Sequence, residues 1–180
     1  MFRAIKYLLI LSFKQLRSIL LGYKYYRRTG IVLPGGCIVN NMNNIIIGSG
    51  ISVGYGCKIY AQDENSSIII GNKVSLNDNV MINADHGKII IGDGSMIGPN
   101  TVLRASNHVF STTSLFFRDQ GHKSGSINIG KNVWLGANVS ILPDVRIGEN
   151  VVIGAGSVVT KDLPDNVVAC GVPAKIIREI

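Results

Sequence analysis

From residue 45 onward the apolar positions follow neither the 3.6-residue recurrence of a helix nor a sustained alternation of two. They follow six. Hexads set at residues 47, 53 and 59; 70, 76 and 82; 91, 97 and 103; 129, 135 and 141; and 147, 153 and 159 all begin with Ile, Leu or Val. Nine of these fifteen carry Gly second: Gly48, Gly54, Gly71, Gly92, Gly98, Gly130, Gly136, Gly148 and Gly154. The leading residue of each hexad points inward, and so does the residue two places before it, as a short strand requires. The fifth positions are accordingly often small or β-branched: Cys57, Val74, Val80, Thr101, Val133, Val139, Val145, Val151 and Ser157. Gly and Asn serve the corners, where positive φ or close backbone approach is needed. Three hexads close a triangular coil of about 18 residues, and coils stack at about 4.8 Å.

The pattern therefore predicts an all-β solenoid of about five to six triangular coils. Five are visible, at 47–64, 70–87, 91–108, 129–146 and 147–164, and residues 31–46 are expected to form an irregular first coil. No single coil can bury its own apolar side, so stability has to come from stacking and capping. The solenoid body spans 29–164, and residues 165–180 form a short C-terminal segment, leaving the repeat by Gly171.

Residues 1–28 have a different character. Their longest uncharged run, Tyr7 to Phe13, is far short of the ~20 apolar residues of a spanning helix. No small-residue cleavage site follows, which argues against a signal peptide. On a helix, Arg3, Lys6, Lys14, Arg17 and Lys24 fall within about an 80° arc, opposite a broad apolar face containing Ile5, Leu8, Leu9, Phe13, Leu16 and Ile19. Two readings of this basic amphipathic helix stand. It packs on its own body or a neighbouring subunit, or it lies in the surface of an anionic membrane.

Charge sharpens the division. The chain has 18 Lys and Arg against 11 Asp and Glu, a formal +7, yet residues 1–28 hold seven of the cations and no acid. The body is electrically balanced, which speaks against nucleic-acid binding. Three cysteines, Cys37, Cys57 and Cys170, lack any C-x-x-C spacing, so neither a disulfide nor a zinc framework is indicated and a reducing, cytoplasmic setting is the simpler expectation.

The repeat breaks in one place. The third hexads of the first three coils lack the second-position Gly and have Tyr60, Asn83 and Arg104 instead. At the normally inward fifth position they carry Asp63, His86 and Asn107, with Glu64 and His108 at the sixth. Stacked in register, these residues are expected to form a polar ladder along one side of the prism. Directly after His108 comes a loop insertion, 109–128, containing Arg118, Gln120 and His122. Broken local rules beside a long loop mark a functional site.

Four ordered motifs carry a resemblance across residues 45–178. They are Ile97-Gly-Pro-Asn-Thr-Val-Leu-Arg-Ala-Ser-Asn-His108, Ile129-Gly-Lys-Asn-Val-Trp-Leu-Gly-Ala137, Ile153-Gly-Ala-Gly-Ser-Val-Val-Thr-Lys-Asp162 and Gly171-Val-Pro-Ala-Lys-Ile-Ile-Arg178. Together they resemble the hexapeptide-repeat acyltransferases, in particular the sugar and polysaccharide O-acetyltransferases related to maltose and galactoside acetyltransferases. The resemblance implies a left-handed parallel β-helix, acetyl-CoA as co-substrate, a sugar or glycan acceptor, and a homotrimer with active sites at subunit interfaces. Where the family usually has Leu-Pro-Gly-Val, this chain has Leu142-Pro143-Asp144-Val145, a local change that Asp can accommodate in a turn.

On that resemblance His108 is the general base, taking the proton of an acceptor hydroxyl as it attacks the thioester carbonyl. His86 on the preceding coil either orients His108, touches the acceptor or is a plain corner residue. Asn83 and Asp85 are candidate acceptor contacts, and His122 is read as a solvent-exposed or acceptor-side residue. Trp134 should point outward, against a ligand or a partner subunit. Ala137 and Ala155 match small positions that admit the pantetheine arm. Thr160, Lys161 and Arg178 match positions that meet the nucleotide, with Lys175 a further candidate. No metal site is expected, since a zinc reading would have to conscript all three histidines, His86, His108 and His122. Transfer to an amino group of an amino sugar or other small amine, and a non-catalytic solenoid scaffold, remain alternatives.

Overall fold

The computed structural model describes residues 33–180, so the expected helix over 1–28 lies outside the described residues. The chain enters on β1 (Ile38–Asn40) and a 3-10 turn at Met42–Asn44, the irregular opening that the pattern predicts. Complete coils follow as β2 (Ile45–Ile47), β3 (Ser52–Val53) and β4 (Lys58–Tyr60); β5 (Ser67–Ile70), β6 (Ser75–Leu76) and β7 (Met81–Asn83); and β8 (Lys88–Ile91), β9 (Met96–Ile97) and β10 (Val102–Arg104). An arm of β11 (Ser106–His108) and β12 (His122–Ser124) then projects. Coils resume as β13 (Ser126–Ile129), β14 (Trp134–Leu135) and β15 (Ser140–Ile141), then β16 (Val145–Ile147), β17 (Val152–Ile153) and β18 (Val158–Val159). The chain closes on β19 (Val167–Gly171) and β20 (Ala174–Glu179).

These strands stack into three parallel faces of a left-handed solenoid of about six turns. The first face runs β1-β4-β7-β10-β15-β18, the second holds β2, β5, β8, β13 and β16, and the third runs from β3 to β19, with β20 folding back antiparallel on β19. The residues expected to point inward do so. Every hexad leader from Ile59 to Val159 is at most 2% exposed, and the fifth-position residues from Cys57 to Ser157 are buried with them. Ile47 and Val53 are partly exposed because they belong to the end of the stack.

Glycine and asparagine divide the corner work between them. The second-position glycines do not have positive φ; they are excluded-volume sites. A Cβ on Gly98 would sit 2.5 Å from the backbone C and O of Gly136 in the next coil, and both are main-chain atoms that cannot swing away. The left-handed conformation falls two residues later, at Asn100, Asn132, Asn138 and Asn150, and at Asp144, whose φ of 63° shows how the Leu-Pro-Asp-Val departure is absorbed.

The uniform 18-residue coil holds only for part of the stack. Ile127 to Val145 takes 18 residues, but Ile45 to Ile68 takes 23 and Ile68 to Ile89 takes 21. The surplus falls at the corner between the first and second faces, which is also where the arm inserts between β10 and β13.

Candidate functional site

At that corner the backbone register brings Tyr60, Asn83 and Arg104 into a vertical row, as the pattern predicts. The rest of the expected ladder needs correction. The inward row at this corner is filled by Ala61, Ala84 and Ala105, each fully buried. Asp63 and His86 turn to the rim instead, because the longer corner segments carry the chain outward before the next strand. Asn107 and His108 are not in a coil. The chain leaves the first face after Arg104, and both residues stand on the exposed strand β11 of the arm.

Within the segment expected as a loop over 109–128, residues 109–121 carry no strand and only a 3-10 turn at Phe117–Asp119. The loop stands on an antiparallel pair that runs from Ser106 to Ser124, and residues 126–128 already belong to β13. Ser106 faces Ser124, Asn107 faces Lys123 and His108 faces His122 in the antiparallel pair, and Val109 N–H donates to Gly121 O at 3.0 Å. At the arm's root Arg104 Nε donates to Ser106 O at 3.1 Å, while the buried hydroxyl of Ser106 has no hydrogen-bond partner. The re-entry into the second face is held by Ser126 N–H donating to Asp144 Oδ1 at 3.1 Å.

This path gathers the three histidines. The ring of His122 lies 4.2 Å from that of His108, tilted by 40°, and 4.5 Å from that of His86, stacked at 26°. Loss of hydration in the stack, followed by His108, His86 and Arg104, pushes the His122 imidazole below the ordinary histidine range, with Asp85 opposing. The rings lie against one another, and among the described residues no group of three or more His, Cys, Asp or Glu is set to hold a metal ion. His122 is exposed as expected, but its place in the stack went unpredicted. A signal was there: Ser-Asn-His108 and His122-Lys-Ser mirror each other around the insertion, as the two sides of a hairpin do.

His86 is anchored from below. Its backbone is left-handed, with φ of 61°, and its N–H donates to the Asp63 carboxylate and to Ser66 Oγ, the latter at 3.2 Å. Its Nδ1 lies 3.7 Å from Asp63 Oδ2. Burial alone would raise the Asp63 carboxyl, but donors from the Ser66 hydroxyl and from the backbone of His86 and Asn65 outweigh it and hold it below the ordinary carboxylate range. Asp85 is also occupied, accepting from Gln62 N–H at 2.8 Å, while its own N–H donates to the 8% exposed Asn83 at 2.9 Å.

The hexapeptide signature is found independently by the family model for bacterial transferase hexapeptide (six repeats), which matches residues 126–161. WbbJ of Escherichia coli K12, which carries the provisional name of a lipopolysaccharide biosynthesis O-acetyl transferase, is 33% identical over 171 residues, 91% of this chain and 85% of that protein. The chain belongs to the hexapeptide-repeat acyltransferase superfamily. Galactoside O-acetyltransferase of the same organism is 47% identical over 116 residues, 64% of this chain and 55% of that one. The chain therefore spans little more than half the length of that relative. Among solved structures, a hexapeptide-repeat acetyltransferase from Vibrio cholerae, complexed with acetyl coenzyme A, superposes with a TM-score of 0.67 at 27% identity, covering 87% of this chain and 75% of that one.

The other motif positions of this hexapeptide-repeat protein lie away from the histidines. Trp134 is 51% exposed on the third face, in register between Met96 and Val152, and that face is opposite the corner that carries the arm. Ala137 and Ala155 stack at the corner between third and first faces, where Gly156 N–H donates to Ala137 O at 2.8 Å. Thr160 and Lys161 are exposed just after β18, and Lys175 and Arg178 are exposed on β20.

Proposed function

We propose that this chain is an acetyltransferase that moves the acetyl group of acetyl-CoA to a hydroxyl of a sugar or glycan precursor, with His108 as general base. The observation that carries this reading is the position of His108. It stands on the arm at the one corner where the hexapeptide rules break, in a chain related along most of its length to a protein named for lipopolysaccharide O-acetylation. The acetyl-CoA complex of the Vibrio relative supports the donor. His108 accepts the hydroxyl proton as that oxygen bonds to the thioester carbonyl carbon; the C–S bond then breaks, and the CoA thiolate leaves with the proton returned from the imidazolium. No acyl-enzyme forms. His86, Asn83 and Asp85 line the acceptor side.

His108 and Trp134 lie on opposite sides of one prism, so a single copy cannot present both to one substrate. A homotrimer resolves this, with the site between subunits: His108 from one, and Trp134 from its neighbour. Ala137 and Ala155 pass the pantetheine arm, and Thr160, Lys161, Lys175 and Arg178 meet the nucleotide. The basic residues 1–28 either pack on the trimer or hold the enzyme at the cytoplasmic face of an anionic membrane, and vesicle binding by the full chain against a variant lacking those residues decides between the two. For the chemistry, His108→Ala should lose at least about two orders of magnitude in turnover with acetyl-CoA and a methyl galactoside while still binding CoA. Undiminished turnover would refute the assignment.

A further inference from the structure

We propose that His122, delivered by the return strand of the arm, is a positioning residue for His108. This role rests on the reading of His108 as the base. A base on an exposed hairpin has a geometric problem. Its ring nitrogen must come within about 2.6–3.2 Å of the oxygen whose proton it takes, and an error of about 1 Å costs roughly a hundredfold in rate. His108 is exposed and lies on a strand whose only partner in the arm is another exposed strand.

The three-ring stack supplies the missing wall. His108 and His122 are directly opposite in the β11–β12 pair, so their side chains share one face of the ribbon. The His122 ring also stacks on His86, which belongs to the coil below. That coil does not yield easily there. The Asp63 carboxylate takes the His86 N–H and the Ser66 hydroxyl, and Ser66 is buried. Contact thus runs from a buried coil through Asp63 to His86, then to His122, then to His108. The titratable and charged groups facing His122 are His108, His86 and Arg104, with Asp85 of opposite sign. Three of these four disfavour a proton on His122, whose imidazole is held below the ordinary histidine range.

The test uses the full-length protein with acetyl-CoA and a methyl galactoside, read as thiol release. His122→Ala should lower kcat about tenfold to a hundredfold with the KM for acetyl-CoA held within about twofold. His122→Phe keeps a flat ring but cannot carry a proton, and should restore kcat to within about threefold of the native value. The imidazole Cε1–H resonance of His108, which needs no acceptor, should shift in the alanine variant and much less in the phenylalanine one. Melting curves check that both variants fold. Native kcat in His122→Ala, beside an inactive His108→Ala, overturns the positioning role alone. A phenylalanine variant as poor as alanine also overturns it, since His122 would then carry a proton itself. Full turnover by His108→Ala overturns the reading of the base, and the positioning role with it.

Discussion

His108 and His122 face each other across two antiparallel strands with their ring centroids 4.2 Å apart, although thirteen residues lie between them in the chain. The pairing brings the arm into contact with the candidate base. It also gives the arm a pH dependence. Because the folded-state imidazole of His122 is pushed below the usual histidine value, the unfolded chain binds more protons between that lowered value and about pH 6.5. Stability therefore falls as pH drops through that window and is unaffected above it. Melting temperatures of the native chain and His122→Phe, compared from pH 8 down to pH 5, should diverge only below about pH 6.5, with the native chain losing more.

Asp63 works in the opposite pH range. Its carboxyl lies below the ordinary carboxylate value, so its contribution is present at neutral pH and is lost as pH falls below about 4, through the folded-state value. Asp63→Ala removes the acceptor shared by Ser66, His86 and Asn65. Leaving the buried Ser66 hydroxyl with no acceptor for its proton should cost about 1–3 kcal/mol in urea unfolding at pH 7. The same variant should lower kcat, since His86 loses its anchor. Unchanged stability would show that water replaces the carboxylate at no cost.

The two kinds of corner glycine should respond differently to substitution. Gly98→Ala places a Cβ against the backbone of Gly136 and should cost at least about 1–3 kcal/mol, because only a shift of the coil relieves the contact. Gly94, with φ of 70° and open space around it, stands where the next coil has Asn132 at φ of 54°. Gly94→Asn should therefore stay within about 1 kcal/mol of the native chain. Equal effects of the two substitutions, measured by urea unfolding, would contradict the separation of roles.

An active site shared between subunits predicts complementation. His108→Ala and Trp134→Ala each spoil every interface when alone. Mixed one to one and reassembled, random trimers should recover about one quarter of native interfaces, and activity in proportion. Activity that stays at the level of the separate variants would place both residues' roles within one copy.

Much of this protein is local in origin and could be read along the chain. The leaders of the hexads, the small fifth-position residues and the alternation of excluded-volume glycine with left-handed asparagine all follow from one constraint: each residue meets its counterpart in the next coil. A repeat writes that constraint into every turn, so the core from Ile59 to Val159 is visible as a pattern. The motif around His108 was visible for the same reason, as the place where the pattern stops.

The site's geometry is not local, and there the pattern fell short. Asp63 and His86 occupy positions that are inward elsewhere, yet corner segments of unequal length carry them to the rim. Trp134 is in register with a hexad and was correctly expected to point outward, but only the closed prism puts it opposite the arm. The hexapeptide pattern alone marks the solenoid, its buried residues and the corner at which the repeat breaks. Tertiary structure decided which histidines touch, because ring contact depends on the pairing of β11 with β12 and on their height above His86. Those are distances set by closing a chain back on itself, and no six-residue period encodes them.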